Sequence, residues 1–337
     1  MKKKIIALMT AGAVALSLCG CEGVRLKKSL KKEMEASVKT DFKEEQTESQ
    51  DKEDTFSFEH LKNRKFYFSS GAGGWGTFLL IRADGSFSGE YVDDDMGDVK
   101  EEYPNGTRYQ AEFYGTFSQP VKVNDYTYSM RIQKISYRNE PETKEIKDGV
   151  RYCYSEAYGL DQARNILIYL PGAPLSELSE EFKSWIGFGA MMDLDTDRLP
   201  FYALNNETMQ YGFFSSDIIE DAKQAVASAE EQAAVLEDSV KNDPLTQTEC
   251  NEKAKQIYDL WDYALNMVWK SLKETKEADE MEELTVQERE WIAQKEEESK
   301  KAGESYEGGT MQSMAVSQKA AKMTKVRVYE LLELLES

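Results

Sequence analysis

A single histidine, His60, accompanies 62 acidic side chains, 42 basic ones and four cysteines in this 337-residue chain, and that inventory narrows the chemistry open to it. A Ser–His–Asp relay or a multi-histidine metal site needs an imidazole in a recognisable setting, and His60 between Glu59 and Leu61 supplies none. Two acidic runs are candidate calcium ligands. Asp93-Asp94-Asp95-Met96-Gly97-Asp98 packs four carboxylates into six residues, and Asp193-Leu-Asp195-Thr-Asp197 copies the start of a calcium loop. The second run has Arg198 where glycine is needed and Leu204 where the bidentate glutamate belongs. Both read as acidic loops between strands, with no metal and no cofactor. The segment Ser69-Ser70-Gly71-Ala72-Gly73-Gly74-Trp75-Gly76-Thr77 invites a phosphate-cradle reading but lacks the Lys-Ser/Thr ending and a βαβ context. It reads instead as a bend that brings Trp75 over one end of a β-structure. Carboxylate pairs can hydrolyse glycosides without histidine, yet no spacing here singles out such a pair. The expectation is binding rather than catalysis.

The N-terminus carries a different chemistry. Lys2, Lys3 and Lys4 precede an apolar run from 5 to 18 and then Leu18-Cys19-Gly20-Cys21. Such a run is too short to span a bilayer comfortably, so it reads as a signal peptide. Leu18 at −3 and Gly20 at −1 resemble the bacterial lipobox, which implies cleavage before Cys21 and acylation of its thiol; Cys19 fits worse because bulky Leu18 would stand at −1. The expected location is the extracytoplasmic face of a cell membrane, lipid-anchored through Cys21. Removing the leader takes the formal charge from −20 to about −23. Nucleic acid is excluded as a partner because no basic face is available for phosphate, whereas a basic protein would be attracted. Cys153 and Cys250 remain for at most one bridge.

Composition shifts divide the rest. Residues 1–20 are the leader and 21–55 a charged tether, basic then acidic, too poor in apolar side chains to fold alone. Residues 56–215 show short alternating runs at 65–70, 76–83, 86–92, 109–117, 126–136, 150–154 and 165–170, then a helix over 175–186 and a hairpin over 201–214. Asp84-Gly85 is the strongest turn signal. An apolar stripe through Ile218, Ala222, Val226, Ala229 and Ala233 makes 216–242 a long helix capped by Ser216, a spacer or docking helix between domains. Residues 243–337 form three amphipathic helices over 246–273, 280–301 and 310–335. The architecture is α+β and multidomain: an antiparallel β-barrel or sandwich-like domain followed by a helical C-terminal domain.

The helical part holds one specific pattern: Leu265-Asn266-x-x-Trp269, then Gln287-x-x-x-Trp291-Ile292-x-x-Lys295, then Gly308-Gly309-Thr310, then Thr324-x-x-Arg327-x-x-x-Leu331. By spacing alone, Trp269, Trp291, Leu265, Ile292 and Leu331 are core, Gln287 shares the Trp291 face and can satisfy a buried backbone group, both glycines supply positive φ before a helix capped by Thr310, and Arg327 pairs with a carboxylate on a neighbouring helix. In order and spacing the pattern resembles the LprI-like lysozyme-inhibitor domain. Trp269 stands at that family's tyrosine position and Lys295 at its arginine, and its cysteine positions fall on Lys253, Ser299 and Lys319, so packing must replace disulfides. The resemblance implies binding of lysozyme or another basic cell-wall hydrolase but names no residues that would enter the enzyme cleft; Trp291 and Arg327 are this chain's candidate contacts. The alternative is a ligand-binding β-domain that uses Trp75 and its many tyrosines to hold a glycan, a peptide or a small apolar molecule.

Overall fold

The computed structural model describes residues 56–71, 73–190 and 197–337, without the side chains of 188–190. The leader, the tether and Cys21, as well as Asp193 and Asp195, lie outside the described residues. The N-terminal half is built on β1 (Arg64–Ser69), β2 (Trp75–Ile81), β3 (Ser86–Asp95), β4 (Thr107–Phe117), β5 (Val121–Asn124), β6 (Thr127–Met130), β7 (Ile132–Tyr137), β8 (Lys144–Lys147), β9 (Val150–Tyr154), β10 (Ile166–Tyr169), β11 (Ala203–Asn206) and β12 (Tyr211–Asp217), with helix α1 (Glu180–Ala190) between β10 and β11.

The strands form one curled sheet in the order β5-β6-β10-β11-β12-β1-β2-β3-β4-β9-β8, a half-barrel, with β7 on the second half of β4. Neighbours are antiparallel apart from β4 and β9, which run parallel. The expected run 126–136 is two strands. Arg131 alone separates them, and β6 pairs with β10 while β7 pairs with β4, so one bent strand links the two arms of the curl. β5 and β8 had no sequence signal because every residue in them is exposed, and no buried face imposes alternation. The β2–β3 turn is as expected: Gly85 adopts φ +83°, its N–H donates to the Arg82 carbonyl at 2.9 Å, and Asp84 Oδ1 accepts from the Ser86 N–H at 2.8 Å.

Alternate residues of these strands meet in one core, with Phe66, Phe68, Leu79, Phe87, Phe113, Ile168 and Phe213 all under 2 % exposed. Full burial of each such side chain contributes about 1.5–3 kcal/mol. The space inside the curl is therefore occupied by side chains. Outside it, α1 lays Phe182 and Ile186 against β12 and the 199–203 segment. The expected helix over 175–186 is a 3-10 turn, Leu175–Glu177, followed by α1.

Four helices complete the described chain: α2 (Ile218–Asn242), α3 (Gln247–Thr275), α4 (Ala278–Glu304) and α5 (Gln312–Glu336). Asp217, rather than Ser216, caps α2, its carboxylate accepting from Ile219 N at 2.9 Å and Glu220 N at 3.1 Å. α2 is docked along its alanine stripe: Ala222, Val226, Ala229 and Ala233 share a core with Ile257, Trp261, Val268 and Leu272 of α3 and Val328 and Leu331 of α5. Alanine allows α2 to lie close to both. No described helix is long and apolar enough to cross a membrane.

The two halves join at the start of α2. Ile218 N–H donates to the Asn63 carbonyl at 2.9 Å, Arg64 pairs with Asp217 at 3.2 Å, and Ser271 Oγ of α3 donates to the Ile218 carbonyl at 3.4 Å. On the outer face of β1, Lys65 is 5 % exposed, pairs with Glu274 of α3 and lies 4.9 Å from the centre of the Phe78 ring. Burial pulls the Lys65 ammonium below its ordinary pKa, opposed by Glu274. On α2, burial pushes the Asp221 carboxyl above its ordinary value, with Asp217 and Glu274 adding to the shift.

A carboxyl raised on folding costs stability above its folded pKa and costs nothing below its unfolded value of about 3.8. Asp221→Asn should therefore raise the melting temperature at pH 7, and the gain should shrink as pH falls toward 4. Melting curves of both chains across that range check the sign.

Candidate functional site

The motif residues separate into three groups once the helices pack. Leu265 and Leu331 are buried, and Trp269 and Trp291 are half-buried against the same core. Ile292, expected inside, is 39 % exposed. Gln287 is exposed as well and reaches only Glu283 of its own helix at 3.4 Å, so it satisfies no buried backbone group. Both differences have one cause. Helix α4 is rotated so that Glu288, Lys295, Ser299 and Gly303 face inward, and an apolar residue cannot announce a buried face made of polar ones.

That face is anchored by polar contacts. Arg327 of α5 donates through Nε to Glu288 Oε2 at 2.9 Å, with the two side chains 11 % and 9 % exposed, and through Nη1 to Glu330 at 3.0 Å. Lys295 Nζ donates to the Tyr258 hydroxyl of α3 at 3.0 Å and lies 5.2 and 5.3 Å from the ring centres of Tyr258 and Trp291. At Gly303 a Cβ would fall 2.7 Å from Val316 Cγ2, so only glycine lets α4 approach α5 there. The turn that follows differs from expectation. Gly308 alone takes positive φ, Met311 precedes the first turn of α5, and the Thr310 carbonyl accepts from Asn251 Nδ2 at 2.9 Å. With its inner face spent on these anchors, α4 turns outward most of its ten acidic and four basic side chains. An open depression of about 440 Å³ lies beside its start, lined by Lys273, Met281, Glu282, Thr285, Val286 and Arg289. It gathers no nucleophile with a base.

Across the core, Trp261 is 1 % exposed and is the helical region's largest buried side chain. Lys325 lies 4.9 Å from its ring centre and reaches Glu230 of α2 at 2.5 Å, while the Tyr329 hydroxyl donates to the same carboxylate at 2.6 Å. Lys325, then Tyr329, holds the Glu230 carboxyl below its ordinary range. Trp261 lies eight positions before Trp269, outside the quoted pattern, yet its place on the Ile257–Leu265–Val268 stripe was a readable signal.

In the half-barrel two of the four carboxylates of the acidic run pair with arginine. Arg108 forks onto Asp94 at 2.6 and 2.8 Å, Arg151 pairs with Asp98, and Asp95 Oδ1 accepts from the N–H groups of Gly97 and Asp98. Among the described residues no three His, Cys, Asp or Glu side chains gather as metal ligands. Cys153 is buried, Cys250 partly so, and both are free thiols. His60 is half-buried, stacked on Phe56 at 5.4 Å and bonded to Ser57. Trp75 opens β2 and leans on Phe68, Tyr158 and Trp185.

Residues 239–331 match the family model described as Lysozyme inhibitor LprI. No curated protein and no solved structure matches the chain. The LprI region runs from the last turn of α2 to Leu331 in α5, so it takes in all of α3 and α4 but omits most of α2, which supplies one wall of its core. The half-barrel lies wholly outside it.

In the LprI region, Arg327→Met should cost about 3–5 kcal/mol, because it leaves Glu288 charged and unpaired in a dry site. Adding Glu288→Leu should return much of that loss. Urea unfolding followed by helical circular dichroism measures both.

Proposed function

We propose that this chain is a non-enzymatic lipoprotein, anchored at the extracytoplasmic face of the membrane through Cys21, whose helical region binds and inhibits a lysozyme-type cell-wall hydrolase. The LprI match at 239–331 carries the reading. Its physical counterpart is charge. Residues 242–337 hold 21 acidic and 13 basic side chains, and lysozymes are basic, so the field of this region speeds encounter and brings the partner to the outer face of the bundle. Specificity then rests on contacts made after encounter, with α4 presenting the largest acidic surface. The anchor follows from Leu18-Cys19-Gly20-Cys21.

The full chain should slow hydrolysis of cell-wall substrate by a basic lysozyme, with the effect weakening as salt rises from low to physiological, where the Debye length shortens to about 8 Å. A polyanion of equal charge is the comparison that decides. Inhibition no stronger than the polyanion's would reduce the reading to unspecific attraction.

Cys21→Ala should release the protein to the soluble fraction or leave it as unprocessed precursor, read by fractionation and by its size on a gel. Normal processing with full membrane retention would remove the anchor.

A further inference from the structure

At one end of the half-barrel four amphipathic rings stand around one buried phenyl ring. Phe68 is fully buried, and its ring centre lies 5.1 Å from Trp75, 5.2 Å from Tyr158, 5.0 Å from Trp185 and 4.9 Å from Tyr211. These four are half-buried and come from separate places: the start of β2, the 155–165 loop, α1 and the start of β12. Closing a barrel end needs only aliphatic or phenyl side chains. Four rings that each carry an N–H or O–H, and each keep some surface, are suited to an apolar face that also hydrogen-bonds.

The ring set is held from beneath. Thr77 Oγ1 donates to the Tyr158 carbonyl at 2.6 Å, and Asn206, 1 % exposed, donates from Nδ2 to the carbonyls of Gly159 and Asp161 at 3.0 Å each. Buried polar side chains thus fix the loop that presents Tyr158, as a preorganised site requires. Beside Trp75, Gly73 and Gly74 present no side chain, and a Cβ on either would meet no atom of the described residues within 4 Å. The Tyr158 hydroxyl is bonded to that of Tyr211, and burial, then this bond, pushes its pKa up, so it stays a neutral donor.

The chemistry of this end selects the ligand class. Among the described residues no lysine or arginine lies over any of the four rings, while Asp161, which accepts from the Gly159 N–H at 2.9 Å beside Tyr158, and Asp93, which accepts from the Tyr91 hydroxyl at 3.5 Å, place negative charge close by, which disfavours an anion. A peptide added as a further strand would need a free edge, but β2 is paired on both sides by β1 and β3, and β12 by β11 and β1. A small apolar molecule would need the interior, which side chains fill. Rings with polar tips and no cation beside them suit an uncharged molecule with flat C–H faces edged by hydroxyls best. We propose that the barrel end formed by Trp75, Tyr158, Trp185 and Tyr211 is a binding site for a neutral glycan, seated on the ring faces and hydrogen-bonded at their polar tips. The site is separate from the LprI region and stands or falls without it.

The test is titration of the full chain, with no hydrolase present, against chitotetraose, cellotetraose and maltotetraose, followed by calorimetry and tryptophan fluorescence. At least one should bind saturably. Trp75→Ala and Trp185→Ala should each weaken that binding tenfold or more, while Tyr114→Ala, a 54 % exposed tyrosine on β4, should leave it unchanged. Should either alanine variant fail to fold, Trp75→Phe and Tyr211→Phe take its place and should still weaken binding with melting intact. No saturable binding of any of the three at millimolar concentration, or binding undiminished in the folded ring variants, overturns the proposal.

Discussion

A buried cation on the outside of a β-sheet is the constraint around which this structure is arranged. Lys65 stands on the outer face of β1 between Tyr67 and Phe78, at 5 % exposure, and can stay charged there only because α3 brings Glu274 to it. That requirement fixes where the end of α3 must lie, and α2 is fixed with it through the Asn63, Arg64 and Ser271 contacts at its first turn. The ion pair adds little net stability after desolvation. Its effect is to define one relative placement of sheet and helices, since any other would strand one charge without a partner.

The helical region follows the same logic on a smaller scale. Two of its helices meet the α3 core through apolar side chains, as propensity and periodicity lead one to expect, but α4 has no large apolar residue that is fully buried. It is held by Arg327–Glu288, by Lys295 against Tyr258 of α3, by Met281 and Trp291 half-buried on the core, and by a glycine-tight approach at Gly303. Where the LprI-like pattern elsewhere has cysteine, this chain has Lys253, Ser299 and Lys319; Ser299 is buried, and Lys319 reaches Glu298 at 3.6 Å. A helix anchored by few contacts keeps its other faces free, and here those faces hold most of the ten acidic side chains of α4.

The half-barrel has a different economy of side chains. Its interior is solid, Asp94 at the end of β3 and Asp98 beyond it are paired with Arg108 and Arg151, and its chemistry collects at one end in aromatic rings with polar tips. An acidic helical surface and a neutral aromatic end are suited to different kinds of ligand. The two halves can therefore act without competing for the same molecule.

Fold class and the existence of most elements were legible in the sequence, because strand alternation and the alanine stripe of α2 are local patterns imposed by burial of one face. Asp84-Gly85 marked its turn for the same local reason, as only a glycine takes φ +83° there cheaply. The lipobox-like tetrapeptide at 18–21 and the LprI-like spacing were likewise readable as strings. Tertiary structure alone decided what polar residues do. Nothing local distinguishes Glu288, which is buried, from exposed Gln287, or says that Lys65 will be dry and Ile292 wet, because those outcomes depend on partners 39 and 209 residues away. A hydrophobic residue reports its own environment through its neighbours' periodicity, whereas a buried charge is tolerated only by a group that the chain folds back to supply, and that pairing exists in three dimensions before it can be seen in one.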